Sequence, residues 1–178
     1  NAAGQTDAGE LMDDGLALEH LDMGGGLGIR YEDALASGAS KWWQQKAAAK
    51  ILTPEKYART LVPLLKPLGL KILIEPGRFI SGNAGILVTR VEYVKKTGRK
   101  NFVIVDAAMN DLVRPAMYDA HHDIVPEREP APDAPGRTYD VVGPVCETGD
   151  TFATARDMDE VGEGDLLFFR TAGAYAAA

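Results

Sequence analysis

The sequence predicts an α/β region followed by a mostly antiparallel β-domain. Two observations indicate the first region: short apolar runs end in glycine-rich turns, and a strong helical pattern lies between two of these runs. A third observation indicates the second region, because segments rich in β-branched residues follow Gly85 without a strong helical pattern. We place the boundary near Gly82–Gly85, which gives predicted domains at residues 1–84 and 85–178.

The first region reads in the order strand, helix, strand. Leu18–Met23 is a short apolar run that ends in the glycine-rich turn 24–28, as expected for a buried strand followed by a close turn. Thr53-Pro54-Glu55 then supplies a hydroxyl cap, a proline at the first position and an acid in the first turn of a helix. Lys71–Glu75 is the next predicted strand and runs into Pro76-Gly77-Arg78. This order is the βαβ unit of a parallel sheet or barrel.

The predicted helix contains a proline, and the segment before it is long. We expect Pro63 to kink the helix and Gly69 to end it. The stretch Arg30–Leu52 is long for a connection, and its Trp42 and Trp43 predict that part of it packs against other residues.

The second region begins with a predicted hairpin. Lys96–Lys100 has the composition of a turn between two β-branched runs, and Pro126–Gly136 is a proline-rich segment that predicts a surface loop. Strands are predicted at Ile86–Val94, Phe102–Val105, Tyr139–Val142 and Leu166–Arg170.

Composition excludes several classes of protein. No apolar run approaches the ~20 residues that span a bilayer, so we expect no membrane partner, and NAAGQTDAGE lacks the regions of a signal peptide. A net charge of −7 argues against a nucleic-acid partner. The single cysteine, Cys146, rules out an internal disulfide and favours a cytoplasmic location. Because the chain lacks an initiator Met and stops in AYAAA, we expect both ends to be cuts through a longer protein.

Two strand ends carry the residues of an anion site. Gly24-Gly25-Gly26 follows the first strand, and Glu75-Pro76-Gly77-Arg78 follows the second. In an α/β barrel, loops at these strand ends build the active site, often with backbone N–H groups around a phosphate. A plain tight turn and a surface ion pair are the alternatives for each motif alone. Ile29 stands at the third glycine position of the dinucleotide fingerprint, so that motif is absent.

Two motifs in the second region carry titratable groups. His121 and His122 raise the possibility of a metal site, but no H-E-x-x-H spacing or cysteine pair supports one, so we predict no metal and a structural histidine. Adjacent histidines on an extended segment point to opposite faces. Cys146 lies among polar and glycine residues typical of an exposed loop, which makes it a candidate acid or nucleophile; a buried inert cysteine is the alternative.

Taken together, these strings resemble a known family, the diaminopimelate decarboxylases. These are pyridoxal-phosphate (PLP) enzymes of the ornithine/diaminopimelate decarboxylase group with an alanine-racemase-like fold. The resemblance runs from about Leu21 to Tyr175, and RPAMYDAHH with CETGD is its most specific part. The strings that carry it occur in the family's order and approximate spacing: GGGLG, EPGR, NDLVRPAMYDAHH, GPVCETGD and GAYA.

The resemblance implies a fold and an activity. Residues 1–84 would be the C-terminal part of a PLP-binding TIM-like (β/α) barrel, and residues 85–178 an incomplete β-domain with substrate-binding and catalytic loops. The parent enzyme would decarboxylate meso-2,6-diaminopimelate to L-lysine and CO₂. In the family a loop crosses to the neighbouring subunit's pocket, so the active site would need a homodimer.

The resemblance also assigns the cofactor residues. Gly25 and Gly26 would give backbone N–H groups to the PLP phosphate, and Gly77 and Arg78 would add to that site. Glu75 would sit against the pyridine nitrogen, where a carboxylate keeps the ring protonated and able to accept electrons.

The substrate residues follow from the later motifs. Arg114 and Tyr118, with Arg78, would hold the distal carboxylate of the substrate, since the planar guanidinium can bind a carboxylate through two hydrogen bonds. Glu147 would read the distal ammonium, and Cys146 would protonate Cα as a general acid. One further side chain would reach the phosphate or the substrate, that of Tyr175.

One essential part of the family's site is missing from this sequence. The family's Schiff-base lysine and the histidine that stacks on the ring lie upstream of GGGLG. Lys71 cannot replace that lysine, because four residues at ~3.3 Å put it roughly 13 Å from Glu75, at the other end of the strand. We therefore expect this chain alone to be inactive.

Three other classes of protein share some of these features. A related decarboxylase of ornithine or arginine would have no use for Arg114, because these substrates lack a distal carboxylate. A decarboxylase of a carboxylated polyamine would use Arg114, so that alternative stays open. A non-catalytic PLP-binding protein would need neither Cys146 nor Glu147. A cofactor-free sugar-phosphate barrel enzyme is a poor fit to the β-domain after Gly85.

Overall fold

The computed structural model describes residues 2–32, 52–128 and 136–176. They form two compact units: the first contains the described residues within Asn1–Ile29 and Trp43–Phe79, and the second those within Arg30–Trp42 and Ile80–Ala178. The packing predicted for Trp42 and Trp43, and most of the loop predicted at Pro126–Gly136, lie outside the described residues. The predicted boundary near Gly82–Gly85 stays a prediction.

The first unit contains the predicted βαβ arrangement. Strands β1 (His20–Asp22) and β2 (Lys71–Leu73) pair in parallel, with Leu21 opposite Ile72. Both strands are shorter than the predicted runs. The helices of this part of the chain are α1 (Ala2–Asp13), α2 (Pro54–Leu65) and α3 (Gly77–Ser81), which ends beyond the unit.

Helix α2 begins and ends for local reasons. The Thr53 side chain accepts a hydrogen bond from the Lys56 N–H at 3.3 Å, which confirms the predicted cap. The α-helix ends at Leu65, earlier than expected, because Pro67 has no N–H to donate to the carbonyl of Pro63. A 3-10 turn follows and ends at Gly69 in the left-handed conformation, with φ of 66°.

The second unit is a six-stranded sheet in the order β5-β8-β3-β4-β6-β7. Every neighbouring pair is antiparallel except β4 and β6. The turn between β3 and β4 is closed by a hydrogen bond from the Thr97 N–H to the Lys100 carbonyl at 2.9 Å, which confirms the predicted hairpin. The strands are β3 (Leu87–Lys96), β4 (Asn101–Val105), β5 (Ile124–Pro126), β6 (Gly136–Val142), β7 (Thr151–Asp159) and β8 (Leu166–Phe169).

One short helix interrupts this unit. Helix α4 (Arg114–Tyr118) has five residues, with a proline in its first turn. It ends at Asp119, whose φ of 49° is left-handed. The prediction of no strong helix after Gly85 therefore holds for the described residues, but the sequence pattern did not reveal α4, β5 or β7.

The sheet encloses one hydrophobic core. Strands β3, β4, β6 and β8 contribute Val91, Val103, Tyr139 and Phe169, all at most 1% exposed. The Phe169 ring meets that of Phe152 edge to face, with ring centroids 4.8 Å apart. Within the described residues, the structure contains no helix with the length and apolar character needed to span a membrane.

Candidate active site

The two predicted strand-end motifs of the first unit touch each other. The Glu75 N–H donates to the Gly24 carbonyl at 2.8 Å, which extends the β1–β2 pairing into the glycine turn. A Cβ at Gly25 would lie 2.8 Å from the Glu75 carbonyl oxygen, so only glycine permits this approach. Gly24 and Gly26 have φ of 64° and 97°. The sequence correctly predicted that these motifs share one edge.

This turn leaves backbone donors for an anion. Within the described residues, the N–H groups of Gly25 and Gly26 have no hydrogen-bond partner, whereas the Gly24 N–H donates to the Asp22 carboxylate at 2.8 Å. The Gly77 N–H donates to the Glu75 carbonyl at 2.8 Å, so Gly77 shapes the second turn rather than offering its own N–H. Two unpaired N–H groups at a strand end can hold a phosphate or carboxylate.

The arginine predicted to bind substrate lies in the second unit. Arg114 opens α4 and is 8% exposed. Its Nη1 lies 2.9 Å from Nε2 of His122, and its guanidinium carbon is 4.1 Å from the centre of the Tyr31 ring. Tyr118 is four residues later on the same short helix and is 69% exposed, and this spacing places both side chains on one face.

The two adjacent histidines have different surroundings, as predicted. His122 is buried, and burial lowers its pKa below the usual value. His121 is partly exposed and pairs with Asp123 at 2.9 Å, and it also receives a hydrogen bond from Arg156 at 3.0 Å. The prediction of a structural histidine fits His122. The described residues contain no group of three or more potential metal ligands.

Cys146 is exposed on a tightly folded loop, as predicted. The buried carboxylate of Asp150 holds this loop: it accepts the Val145 N–H at 2.8 Å and the Met109 N–H at 2.6 Å. Gly143 packs so closely on that carboxylate that an added Cβ would collide with its oxygens. The sequence analysis missed the role of Asp150, because its burial depends on contacts such as the one with the Met109 N–H, 41 residues away.

Glu147 and Tyr175 occupy defined turns. The Glu147 side chain accepts the N–H of Gly149 at 3.2 Å, which turns the carboxylate partly back on its own loop. Tyr175 is 58% exposed with a φ of 57°, an uncommon backbone conformation for a tyrosine. Two residues before it lies Gly173, where a Cβ would collide with the Ser81 carbonyl oxygen.

The predicted site residues thus fall into two sets. The first unit contains predicted cofactor residues, of which Arg78 is also predicted to bind substrate: Gly25, Gly26, Glu75, Gly77 and Arg78. The second unit contains the predicted substrate and acid residues from Arg114 onward, including Tyr175, which is predicted to contact the phosphate or the substrate. The rejected candidate Lys71 is the first residue of β2, whereas Glu75 follows the end of that strand.

These features match the class of pyridoxal-dependent decarboxylases. The first unit has a glycine turn with unpaired amides beside an EPGR strand end, and the second has a buried arginine and an exposed cysteine loop. The chain belongs to this family: the model of its C-terminal sheet domain matches residues 11–173. That match covers both units and describes a sheet domain, so the assignment of residues 1–84 to a barrel stays a prediction.

Within this family, the chain is similar to curated diaminopimelate decarboxylases. The chain is 46% identical over 166 residues to diaminopimelate decarboxylase of Vibrio cholerae, covering 93% of this chain and 36% of that protein. It is 48% identical over 161 residues to the same-named protein of Pseudomonas aeruginosa, covering 90% of this chain and 34% of that one. The chain therefore spans about a third of the length of these relatives.

Solved structures of diaminopimelate decarboxylases superpose on this chain. Diaminopimelate decarboxylase from Helicobacter pylori complexed with L-lysine superposes with a TM-score of 0.80 at 36% identity, covering 98% of this chain and 40% of that one. AQ1208 from Aquifex aeolicus gives a TM-score of 0.81 at 41% identity, covering 98% and 40%. An arginine decarboxylase from Paramecium bursaria Chlorella virus shares the fold, with a TM-score of 0.77 at 17% identity, covering 97% of this chain and 43% of that one.

Proposed function

We propose that this chain is part of a longer parent enzyme, a diaminopimelate decarboxylase that converts meso-2,6-diaminopimelate to L-lysine and CO₂. The observation that carries the proposal is the identity of 46–48% with curated diaminopimelate decarboxylases over at least 90% of the chain. In this proposal residues 1–84 complete a PLP-binding TIM-like barrel, and residues 85–178 belong to the β-domain. The enzyme works in the cytoplasm.

The first unit holds the phosphate end of the cofactor. PLP, when bound, withdraws the electron pair left on Cα as CO₂ departs. Gly25 and Gly26 direct their unpaired N–H groups to the phosphate, and the Arg78 guanidinium adds positive charge. Glu75 keeps the pyridine nitrogen protonated. The clash that a Cβ at Gly25 would make with the Glu75 carbonyl supports this fit, because it ties the phosphate turn to the residue that faces the ring.

The second unit recognises the substrate and supplies a proton. Arg114 and Tyr118, with Arg78, bind the distal carboxylate, and Glu147 binds the distal ammonium. Cys146 gives a proton to Cα after CO₂ has left, which its exposure on a fixed loop permits. Tyr175 contacts the phosphate or the substrate.

The parent enzyme is a homodimer in which the Cys146–Glu147 loop completes the neighbouring subunit's pocket. Mixing a Cys146→Ala parent with a parent that lacks the cofactor-holding lysine tests this arrangement. Each variant alone is inactive, and the mixture should recover toward a quarter of wild-type activity, roughly half the dimers times one of two pockets. No recovery, once subunit exchange is confirmed by a tag-exchange assay, would place Cys146 outside a shared site.

Arg114→Ala in the parent enzyme tests the substrate. Losing a hydrogen bond to a charged group costs about 1.5–3 kcal/mol. Selectivity for diaminopimelate over lysine-like amines should fall by roughly 10- to 150-fold. Arg99→Ala, in the exposed β3–β4 turn, is the matched control and should leave selectivity unchanged. Unchanged selectivity in Arg114→Ala, or a wild-type parent that prefers ornithine or arginine, would contradict the proposal.

A further inference from the structure

The hydrogen bonds of His122 define its protonation state. Its Nδ1 lies 3.0 Å from the backbone carbonyl oxygen of Arg170, which can only accept, so Nδ1 carries the hydrogen. Its Nε2 lies 2.9 Å from Nη1 of Arg114, which is always protonated and can only donate. Nε2 must therefore offer its lone pair. His122 is neutral and is held as one tautomer.

The Arg114 guanidinium is fixed from two directions. Nε2 of His122 accepts a hydrogen bond from Nη1, and the guanidinium carbon lies over the Tyr31 ring, 4.1 Å from its centre. The His122 and Tyr31 rings also meet edge to face, with centroids 5.2 Å apart. Within the described residues, His122 is the one hydrogen-bond partner of the Arg114 guanidinium. The other N–H groups of the guanidinium have no partner among the described residues, and their direction is set by the one that His122 accepts.

We propose that His122 is a positioning residue, whose neutral imidazole holds Arg114 ready to bind the distal carboxylate of diaminopimelate and whose protonation at acid pH releases it. The inference rests on the proposed function for the identity of the ligand. The tautomer and the contact with Arg114 do not depend on it.

The charges around His122 set the direction of the pH effect. Burial lowers the pKa of His122 below 6.5, and Arg114 lowers it further, while the Arg170 carbonyl acts in the opposite sense. Two neighbours in the sequence also act on the pKa of His122: His121 lowers it and Asp123 raises it. The Asp123 carboxylate is itself paired with His121.

A further charge comes from β7. The Arg156 guanidinium donates to the His122 carbonyl at 3.0 Å. Burial and the nearby Arg114 hold the pKa of His122 below its ordinary value, which favours the neutral imidazole. A protonated Nε2 has no lone pair and repels Arg114, so the KM for diaminopimelate should rise as the pH falls.

Two isosteric variants of the parent enzyme separate positioning from packing. His122→Gln places a carbonyl oxygen near the position of Nε2 and keeps the acceptor for Arg114. His122→Asn places an N–H near the position of Nδ1 and keeps only the bond to the Arg170 carbonyl. Asn should raise KM about 10-fold or more with little change in kcat, the loss expected for one hydrogen bond to a charged group. Gln should keep KM within about 3-fold of wild type and lose the acid-side rise in KM.

Three results would overturn the inference: equal KM increases in both variants, a larger increase in Gln than in Asn, or an acid-side rise that persists in Gln. Nitrogen NMR of the parent at pH 8 gives a readout without turnover, with the His122 signal identified by its loss in whichever of the two His122 variants folds. The expected spectrum has the proton on Nδ1, and a proton on Nε2 would overturn the inference even if a variant fails to fold. A wild-type parent that does not turn over diaminopimelate would instead overturn the proposed function, and with it the ligand named here, while the NMR result still decides whether His122 holds Arg114.

Discussion

The two units bury their apolar side chains to very different extents. The second unit has a contiguous core in which Leu112, Leu167 and Phe169 are completely buried. In the first unit, the buried apolar residues among those described are Ala8, Leu27 and Leu65, whereas Leu73 and Ile74 are 40% and 49% exposed.

Among the described residues, only the second unit has a contiguous hydrophobic core. A pair of three-residue strands is too small to be stable alone, and parallel strands normally have both faces covered. The first unit also has an open apolar cavity of about 250 Å³ lined by residues such as Tyr57, Leu61 and Ile72. Such a surface is expected on part of a larger barrel, as proposed above. Three experiments can break or sharpen the comparison.

The largest expected effect is on local stability. In the purified chain, backbone amides of β1 and β2 should exchange with deuterium at least about 1,000-fold faster than those of β3 and β4, a difference of about 4 kcal/mol. Hydrogen–deuterium exchange followed by mass spectrometry measures both regions in one sample. Similar protection in the two units would refute the comparison.

A matched pair of leucines gives the next largest effect. Leu167→Ala removes a completely buried side chain from β8 and should lower the free energy of unfolding by about 3–4 kcal/mol. Leu73→Ala, on β2, removes one that is 40% exposed and should cost less than about 1 kcal/mol. Urea unfolding followed by circular dichroism measures both values. Equal costs would mean that the first unit has a core of its own.

The smallest effect depends on pH. The Asp106 carboxylate accepts the Thr89 hydroxyl at 2.6 Å and the Arg90 N–H at 2.8 Å, and these bonds lower its pKa below 3.8. Because the folded state favours the carboxylate, the stabilisation is present above pH 3.8 and is lost as the pH falls through the lower folded pKa. Because Asp106 is exposed, solvent screening limits this stabilisation. Asp106→Asn should lower the free energy of unfolding by about 0.5–1 kcal/mol at pH 7, and by less toward pH 2.

The control for Asp106 lies in the first unit. Glu55 also has a lowered pKa, through hydrogen bonds to its own backbone and to Thr53 at the start of α2, but it is fully exposed. At each pH between 7 and 2, Glu55→Gln should therefore have the same global unfolding curve as the wild-type chain. A larger pH-dependent loss in Glu55→Gln than in Asp106→Asn would reverse the ranking of the two units.

Local signals in the sequence were sufficient for the features that depend on neighbouring residues. Thr53 caps its helix, the Lys96–Lys100 turn closes its hairpin, and Gly25 meets Glu75 because the ends of parallel strands share an edge. Strand β7 was missed because its mixed sequence, TFATARDMD, becomes a strand through its long pairing with β6.

The same limit applies to the candidate site. Nothing in the sequence distinguishes His121 from His122, since which one is buried depends on the turn at Asp119 and on Arg170, 48 residues from His122. The sequence could assign a role to Arg114 by resemblance, but not the residue that orients it.

The strand order has a consequence for synthesis on the ribosome. One edge of β3 pairs with β4 at once, but the other waits for β8, which is made about 70 residues after β3 ends. At ~5–20 residues per second, that edge stays open for roughly 4–14 s. An open strand edge can pair with another nascent chain. Ribosomes that stall before Leu166 would therefore release chains prone to aggregate, whereas a pause after Phe169 has emerged would be harmless.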